Sequence, residues 1–233
     1  AVMKRYGKPE TYCCKKISYK KYQNWKSQNH KEHFEYLFFV EKKDPADVVY
    51  ESPLNYIGSK ARVIPAIREN LPSDIDDFID AFGGGFNVGI NIRSESVVYN
   101  EYNHFVKELI ESFWQYDTFS YIVYMKKMIR RFELEPGRKD AYLNVRDYYN
   151  SLPEDKRDPR LLLVVILYSF QQQIRFNSNH GFNNPVGMRW FNDNLLEKLI
   201  SFSRRIKALN VCFSCADYTD TFRYVDDGHT FVY

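Results

Sequence analysis

Apolar residues recur at helical spacing at Val63, Ile64, Ile67 and Leu71, which predicts a helix over Ala61 to Leu71 ended by Pro72-Ser73. Downstream, Phe78-Ile79-Asp80 reads as a short strand, and Ser96-Val-Val-Tyr99 as a second strand closed by Asn100-Glu101. Glycines make a turn after the first strand, a helix is expected to start near Asn87, and Phe105 to Tyr116 forms another helix. Short strands and helices alternating through short links predict an α/β fold with a parallel, helix-covered sheet.

The alternation breaks over residues 118–210. Helical patterns run over Tyr121 to Phe132, Ala141 to Ser151, Pro159 to Phe170 and Asn194 to Leu209, interrupted by Pro136-Gly137 and by a loop from Arg175 to Trp190. Strand signals return at Val211-Cys-Phe-Ser-Cys215 and Thr230-Phe-Val-Tyr233. Nearly a hundred mainly helical residues within a sheet-forming sequence are expected to form an inserted domain. The first fifty residues mix basic and aromatic side chains without a clean period until Tyr36-Leu-Phe-Phe-Val40 offers a short strand, and Asp44-Pro45 and Ser52-Pro53 are breakers before the next unit. The expected organisation is a basic aromatic extension over 1–52, a sheet-forming part over 53–117, the insertion over 118–210, and a return to the sheet over 211–233.

Composition narrows the function classes. The longest apolar run, Leu161 to Leu167, falls far below the ~20 residues that span a bilayer, and no apolar segment follows the N-terminal Lys and Arg. A cytoplasmic protein without a membrane partner is expected. Four cysteines, two of them adjacent at Cys13 and Cys14, do not resemble a secreted disulfide framework. The net charge is +3, yet residues 1–43 hold eleven Lys or Arg against four Asp or Glu. A basic face there suits phosphate contact or is simply a solvated surface. Aromatic residues reach 17%, with 19 Tyr and 18 Phe; most are core candidates, and Tyr in a basic protein can also stack on bases.

Four of the ten glycines fall between Gly83 and Gly89, directly behind the strand that ends in Asp80. Residues without Cβ let a backbone approach a ligand closely, which makes a nucleotide-like cofactor the first candidate. Glu101 follows the second strand, where an acidic residue about 20 positions beyond the glycine turn accepts hydrogen bonds from ribose hydroxyls in dinucleotide-binding units. The turn has neither G-x-G-x-x-G nor the Gly-Lys-Ser/Thr of a phosphate loop, and Asp80 beside it would repel a phosphate. An acidic rim suits a cationic or neutral cofactor, and S-adenosylmethionine carries a sulfonium and an amino group. The alternative is a glycine turn that merely packs helix on strand.

Upstream, Asn55-Tyr-Ile-Gly-Ser-Lys60 precedes a helix N-terminus, where backbone donors and Lys60 could hold a carboxylate, or could simply cap the helix. The loop Arg175 to Gly187 is dense in amides; Asn pairs bidentately with adenine, although Asx-turns in a surface loop use the same residues. Cys212-Phe-Ser-Cys215 has zinc-knuckle spacing, but residues three apart in a strand point to opposite faces. The five histidines, His30, His33, His104, His180 and His229, show no metal or triad spacing. No metal is expected.

Taken in order, these motifs resemble those of the Dam-type DNA adenine-N6 methyltransferases over roughly Leu54 to Tyr233. Tyr56-Ile-Gly-Ser-Lys60 is similar to that family's N-terminal cofactor motif, with Tyr56 and Lys60 implied near the methionine end. Asp80-Ala-Phe-Gly-Gly-Gly85 resembles its glycine motif, placing Asp80, Phe82, Gly83, Gly84 and Gly85 at the cofactor, and Tyr99-Asn-Glu-Tyr-Asn103 its acidic ribose motif. Cys215-Ala-Asp217-Tyr218 is similar to the segment whose Asp touches the cofactor's adenine. The loop resembles the signature R-x-N-x-x-G-x-F-N-x-P-x-G, with Arg175, Asn177, Phe182, Asn183, Pro185 and Gly187 in place, but His180 stands where the inner glycine is usual and glycine follows at Gly181.

The resemblance implies a Rossmann-like S-adenosylmethionine-dependent methyltransferase sheet, incomplete at its C-terminus, with an inserted DNA-recognition domain. It implies methyl transfer from S-adenosylmethionine to N6 of adenine, with Arg175, Asn177 and Asn183 binding double-stranded DNA and a cognate restriction endonuclease as a candidate partner. Family members follow a strand like Thr230 to Tyr233 with Asp-Pro-Pro-Tyr, whose acceptors hold the target amine; these 233 residues contain no such tetrapeptide. A chain catalytically incomplete by itself, a fragment of a longer reading frame, is therefore the expectation, with no catalytic residue assigned. A non-catalytic DNA-binding protein that retains the fold is the alternative, and an RNA or protein methyltransferase ranks last.

Overall fold

The computed structural model describes residues 48–225 and 228–233. The expected strand over Tyr36 to Val40, the basic run of residues 1–43 and the Cys13-Cys14 pair lie outside them. Val49 to Tyr233 form one compact unit. Its sheet has four strands, β1 (Asp77–Asp80), β2 (Ser96–Asn100), β3 (Val211–Ser214) and β4 (Thr230–Val232), in the order β3-β2-β1-β4. Every neighbouring pair is parallel.

Phe78, Ile79 and Asp80 of β1 are all buried, as are Val97 to Asn100 of β2. Continuous burial, rather than alternation, is what a central parallel strand covered on both faces requires. The register aligns the carboxyl ends: Asp80 lies opposite Tyr99, and Asn100 opposite Ser214. Backbone bonds continue past the strands, from Ala81 N to Tyr233 O at 3.1 Å and from Glu101 N to Ser214 O at 3.2 Å. The segments that leave β1, β2 and β3 are thereby gathered at one edge.

A 3₁₀ turn over Ala61–Val63 leads into α1 (Ile64–Glu69), with Pro65 in its first turn, where a missing N–H costs nothing. Four later helices begin at side-chain caps. Asn103 accepts from Phe105 N ahead of α2 (His104–Gln115), and Asp117 from Ser120 N ahead of α3 (Thr118–Arg131). After α4 (Lys139–Ser151), Asp158 accepts from Arg160 N ahead of α5 (Pro159–Tyr168), and Asn192 from Leu195 N ahead of α6 (Asp193–Lys207). Each cap satisfies an amide that has no partner within its helix, typically stabilising by about 1 kcal/mol.

Leu161 to Tyr168 of α5 are all buried, because α2, α3 and α4 pack around that helix. The helices of residues 118–210 thus share one hydrophobic core with α2 and the sheet, running from Leu54 through Phe78 and Leu163 to Ile206. Among the described residues no helix is long and apolar enough to cross a membrane.

One expected element differs. No α-helix starts near Asn87; the chain makes only a 3₁₀ turn over Gly89–Asn91. Phe86 stands at φ 59°, and Asn87 and Asn91 spend their amides on backbone elsewhere. Asn87 Oδ1 accepts from Ser52 N at 2.9 Å, while Asn91 both accepts from Tyr50 N (2.8 Å) and donates to Tyr50 O (2.7 Å). Amide side chains that bind a neighbouring segment compete with helical pairing, and here they tie residues 50–52 to the sheet.

Candidate functional site

The edge where β1, β2 and β3 end opens into a cleft of about 360 Å³. Tyr56, Ala81, Phe82, Asn100, Glu101, Tyr102, Ala216, Asp217 and Tyr218 line it. Ligands of open parallel sheets bind at such an edge. Asn100 organises it: its amide nitrogen donates to Ala81 O and Ala216 O, both at 3.1 Å, and its oxygen accepts from Ala216 N at 3.1 Å. One buried side chain therefore binds together the exits of all three strands.

The glycine turn is built by close approach. A Cβ on Gly83 would sit 2.3 Å from the Tyr99 ring, and Gly84 has φ 48° with a Cβ position 2.8 Å from the Tyr56 ring. Gly83 N donates to Asn100 O at 2.8 Å, and Gly84 N to Glu101 Oε2 at 3.0 Å. Glu101 Oε1 accepts from Asn103 N at 2.9 Å, and the Tyr56 hydroxyl reaches Oε2 at 3.5 Å. A carboxylate offers about four acceptor positions, so two amides and one long tyrosine contact leave Glu101 able to accept from further hydroxyls. Burial and the Glu101 carboxylate push the Tyr56 phenol up to about 12, keeping it a neutral donor.

Asp217 caps the 3₁₀ helix Tyr218–Tyr224, and bonds from the Thr219 amide (3.0 Å) and hydroxyl (2.7 Å) hold its carboxyl below the usual carboxylate range. Phe82 stacks on Tyr218 with centroids 5.2 Å apart. Phe82 and Tyr102 remain 71% and 77% exposed, apolar walls left largely open among the described residues. The cleft lining includes two carboxylates and three exposed aromatic rings, with no Lys or Arg among the lining residues.

Lys60, Asp80 and the glycines Gly83 to Gly85 stand apart from that lining. Asp80 is buried beneath the turn, where its Oδ2 accepts from Gly89 N at 2.9 Å. Burial pushes its carboxyl up to about 7 against the opposing effect of that bond, and the Glu101 charge adds to the rise. Lys60 Nζ donates to Gly58 O at 2.9 Å on the exposed side. Asn100, Tyr102 and Tyr218 were absent from the expected set, although Tyr102 and Tyr218 sit inside the motifs Tyr99 to Asn103 and Cys215 to Tyr218.

The raised Asp80 carboxyl has a measurable consequence. Its folded-state pKa lies above the unfolded value near 3.8, so between about pH 4 and pH 7 the folded state binds the extra proton. Its contribution to stability is present below that window and is lost as pH rises through it, by an amount on the order of a few kcal/mol. Asp80→Asn should remove this component of the slope: urea midpoints of wild type and variant should lie close together near pH 4 and diverge toward pH 8, with the variant the more stable. Parallel curves would refute the assignment.

The loop after α5 is a compact hairpin-like structure. Phe176 and Phe182 form an antiparallel bridge, and Asn183 N donates to Arg175 O at 3.0 Å. Asn177 Oδ1 accepts from Asn179 N (3.0 Å) and Gly181 N (2.9 Å), so this side chain builds the turn. His180 adopts φ 56°, the left-handed conformation that explains why glycine is usual at its place in the loop signature. Asn150 of α4 clamps Phe182 through both its backbone groups, and Asn183 Oδ1 is buried without a hydrogen-bond partner among the described residues. Arg175 is exposed. Nearby in sequence, Gln172, Arg189, Trp190, Asn192, Asn194, Leu195 and Lys198 line a second, more polar groove of about 310 Å³.

The sequence model of the family described as D12 class N6 adenine-specific DNA methyltransferase matches residues 56–233, covering both the cleft and the loop. The chain belongs to that family. The chain is 31% identical over 237 residues to the Type II methyltransferase M.FokI of Planomicrobium okeanokoites, covering 94% of this chain and 36% of that protein. It is 31% identical to the modification methylase StsI of Streptococcus sanguinis, over 86% of this chain and 33% of that protein. A DNA adenine methylase of Vibrio cholerae is 26% identical over 72% of this chain and 58% of its own length. This D12-class chain thus spans about a third of the length of the first two of these relatives.

Proposed function

We propose that the cleft holds S-adenosylmethionine, and that the protein to which this chain belongs transfers its methyl group to N6 of adenine in double-stranded DNA. The observation that carries this reading is Glu101. Its carboxylate is anchored by Gly84 N and Asn103 N at the end of β2 and retains acceptor capacity toward the cleft. That is the arrangement a ribose diol needs. The aromatic walls Phe82, Tyr102 and Tyr218 suit a purine ring, and Asp217 among them is an acceptor for its exocyclic amine. Among the described residues the lining holds carboxylates and no cation, which favours a positively charged ligand over a phosphorylated one.

When bound, the cofactor would supply an electrophilic methyl carried on a sulfonium. The residues of this chain would hold and orient it: Glu101 by hydrogen bonding, the glycine turn by close backbone approach, and Tyr56 by packing over Gly84. Asp80 fits as a positioning group for the turn, through Gly89 N. Lys60, at the mouth of the 3₁₀ turn before α1, is the candidate for the carboxylate end of the ligand. Adenine N6 is shielded inside a duplex, so the target base must be extruded toward the cleft. Because β4 runs parallel to β1, any residues beyond Tyr233 would emerge beside Ala81, at the cleft, where acceptors for the target amine are needed.

For DNA, Arg175 is the exposed cation of the loop, while Asn177 and Asn183 serve by shaping it. The groove with Arg189, Trp190 and Lys198 combines positive charge, an exposed ring and amides, as groups that track phosphate and read base edges do. The proposed setting is the cytoplasm, and the type II relatives make a cognate restriction endonuclease the proposed partner. The test is digestion of duplex DNA treated with the full-length protein and S-adenosylmethionine. N6-methyldeoxyadenosine among the nucleosides is expected, and methylated cytosine alone or no methylated base would refute the reading.

A further inference from the structure

Three side chains of metal-ligating type meet at the start of α2, although they lie far apart in the sequence. His104 opens α2, Glu154 opens the 3₁₀ turn Glu154–Lys156 after α4, and His180 stands in the loop that follows α5. Glu154 Oε1 lies 3.1 Å from His104 Nε2, and Glu154 Oε2 lies 2.8 Å from His180 Nδ1. The three donor atoms all fall within 4.8 Å of one another.

A second observation points to a ligand. His104 Nε2 is buried, although 37% of the side chain is exposed, and among the described residues it makes no hydrogen bond; Glu154 Oε1, at 3.1 Å, is its ion-pair neighbour. Buried polar atoms are rarely left without a partner. Each imidazole nitrogen lies about 3 Å from a carboxylate oxygen and the three donors lie within 4.8 Å of one another, a spacing that an ion with bonds of about 2 Å can bridge. The side chains of His180 and Glu154 are 54% and 47% exposed, which leaves a side open for a water as fourth ligand.

The frame around the three is rigid. Phe105 stacks on Phe176 with centroids 4.1 Å apart and planes 12° from parallel, and meets the His180 ring edge-on at 5.7 Å. The carbonyl of His180 accepts from Arg157, whose guanidinium also donates to Leu152 O and Asn150 O. That nearby cation is therefore committed to carbonyl oxygens.

We propose that His104, Glu154 and His180 form a binding site for zinc, which fastens the 175–187 loop to the start of the helix that follows Glu101. The site does not rest on the methyl-transfer reading. It gives a purpose to histidine at a left-handed backbone position where glycine would be unstrained.

The test uses the chain treated with chelator and dialysed against zinc. One zinc per chain is expected, with a melting temperature raised by about 5–10 °C at a hundredfold excess over the dissociation constant. Cobalt substitution should give visible bands of a tetrahedral nitrogen and oxygen set. His180→Gly, which keeps the backbone conformation without strain, and Glu154→Gln should each lose the metal and the shift. Less than a tenth of a zinc per chain, or an unchanged shift in His180→Gly, would overturn the proposal. So would a thiolate charge-transfer band, which would assign the metal to cysteines, two of which, Cys212 and Cys215, are exposed and free. Stabilisation by acid alone, with no metal bound, would reduce the cluster to carboxylate–imidazolium pairs and refute the site.

Discussion

Glu101→Ala is expected to weaken S-adenosylmethionine binding by about 100- to 1,000-fold, measured by equilibrium dialysis. Hydrogen bonds to a charged acceptor contribute about 1.5–3 kcal/mol each, and a ribose diol makes two, so their loss alone accounts for that factor. The substitution also releases Gly84 N, Asn103 N and the Tyr56 hydroxyl, three groups that Glu101 organises at once. Glu101→Gln separates the contributions: it preserves an acceptor for Gly84 N but lacks the charge, and should fall between wild type and alanine. An alanine variant that binds within threefold of wild type would show that the ribose lies elsewhere.

The second large effect is on stability. A Cβ at Gly187 would lie 2.1 Å from Ser169 O and 2.5 Å from its carbonyl carbon. Both are backbone atoms, so no side chain can swing away. Gly187 also pairs with Tyr168 O through its N–H (2.8 Å) and accepts from Gly137 N (3.0 Å), which pins the end of the loop to α5 and to the start of α4. Gly187→Ala should therefore cost about 3 kcal/mol or more, read as a lowered urea midpoint. Gly228→Ala, whose Cβ meets nothing within 4 Å, should stay within about 0.5 kcal/mol. Equal midpoints for the two variants would contradict the packing described.

These residues also show where sequence reasoning reaches and where it stops. Phe78-Ile79 and Val97 to Tyr99 are legible as strands because each is a short run without a charged residue, as a parallel strand buried on both faces requires. The apolar run Leu161–Leu167 is legible as a helix by length, but its place at the centre of one shared core depends on α2, α3 and α4 packing around it, which no local pattern carries. The helix expected near Asn87 fails for a similar reason. Asn87 and Asn91 look like helix-start residues locally, yet their amides bind Ser52 and Tyr50, partners far away in the chain.

The site divides the same way. Glycines and acidic residues behind short strands point to the cleft, and Glu101, Tyr56, Phe82 and Asp217 all line it. Asp80 belongs to the same motif but is turned to Gly89 N, because a carboxylate at the last position of a buried strand can only be tolerated with a donor close by. Tyr102 and Tyr218 carry no signal of their own in a chain with 19 tyrosines; only the convergence of β2 and β3 brings them to one opening. His104, Glu154 and His180 have no shared spacing, and they meet because α2, the turn after α4 and the 175–187 loop pack together.

The most direct test of the cleft as a cofactor site is calorimetric titration of this chain with S-adenosylmethionine, alongside Glu101→Ala and Lys60→Ala. Saturable binding of one molecule per chain, lost in the Glu101 variant and weakened in the Lys60 variant, is the predicted result. A folded chain that takes up no cofactor, or one that binds it equally well without Glu101, would contradict the account.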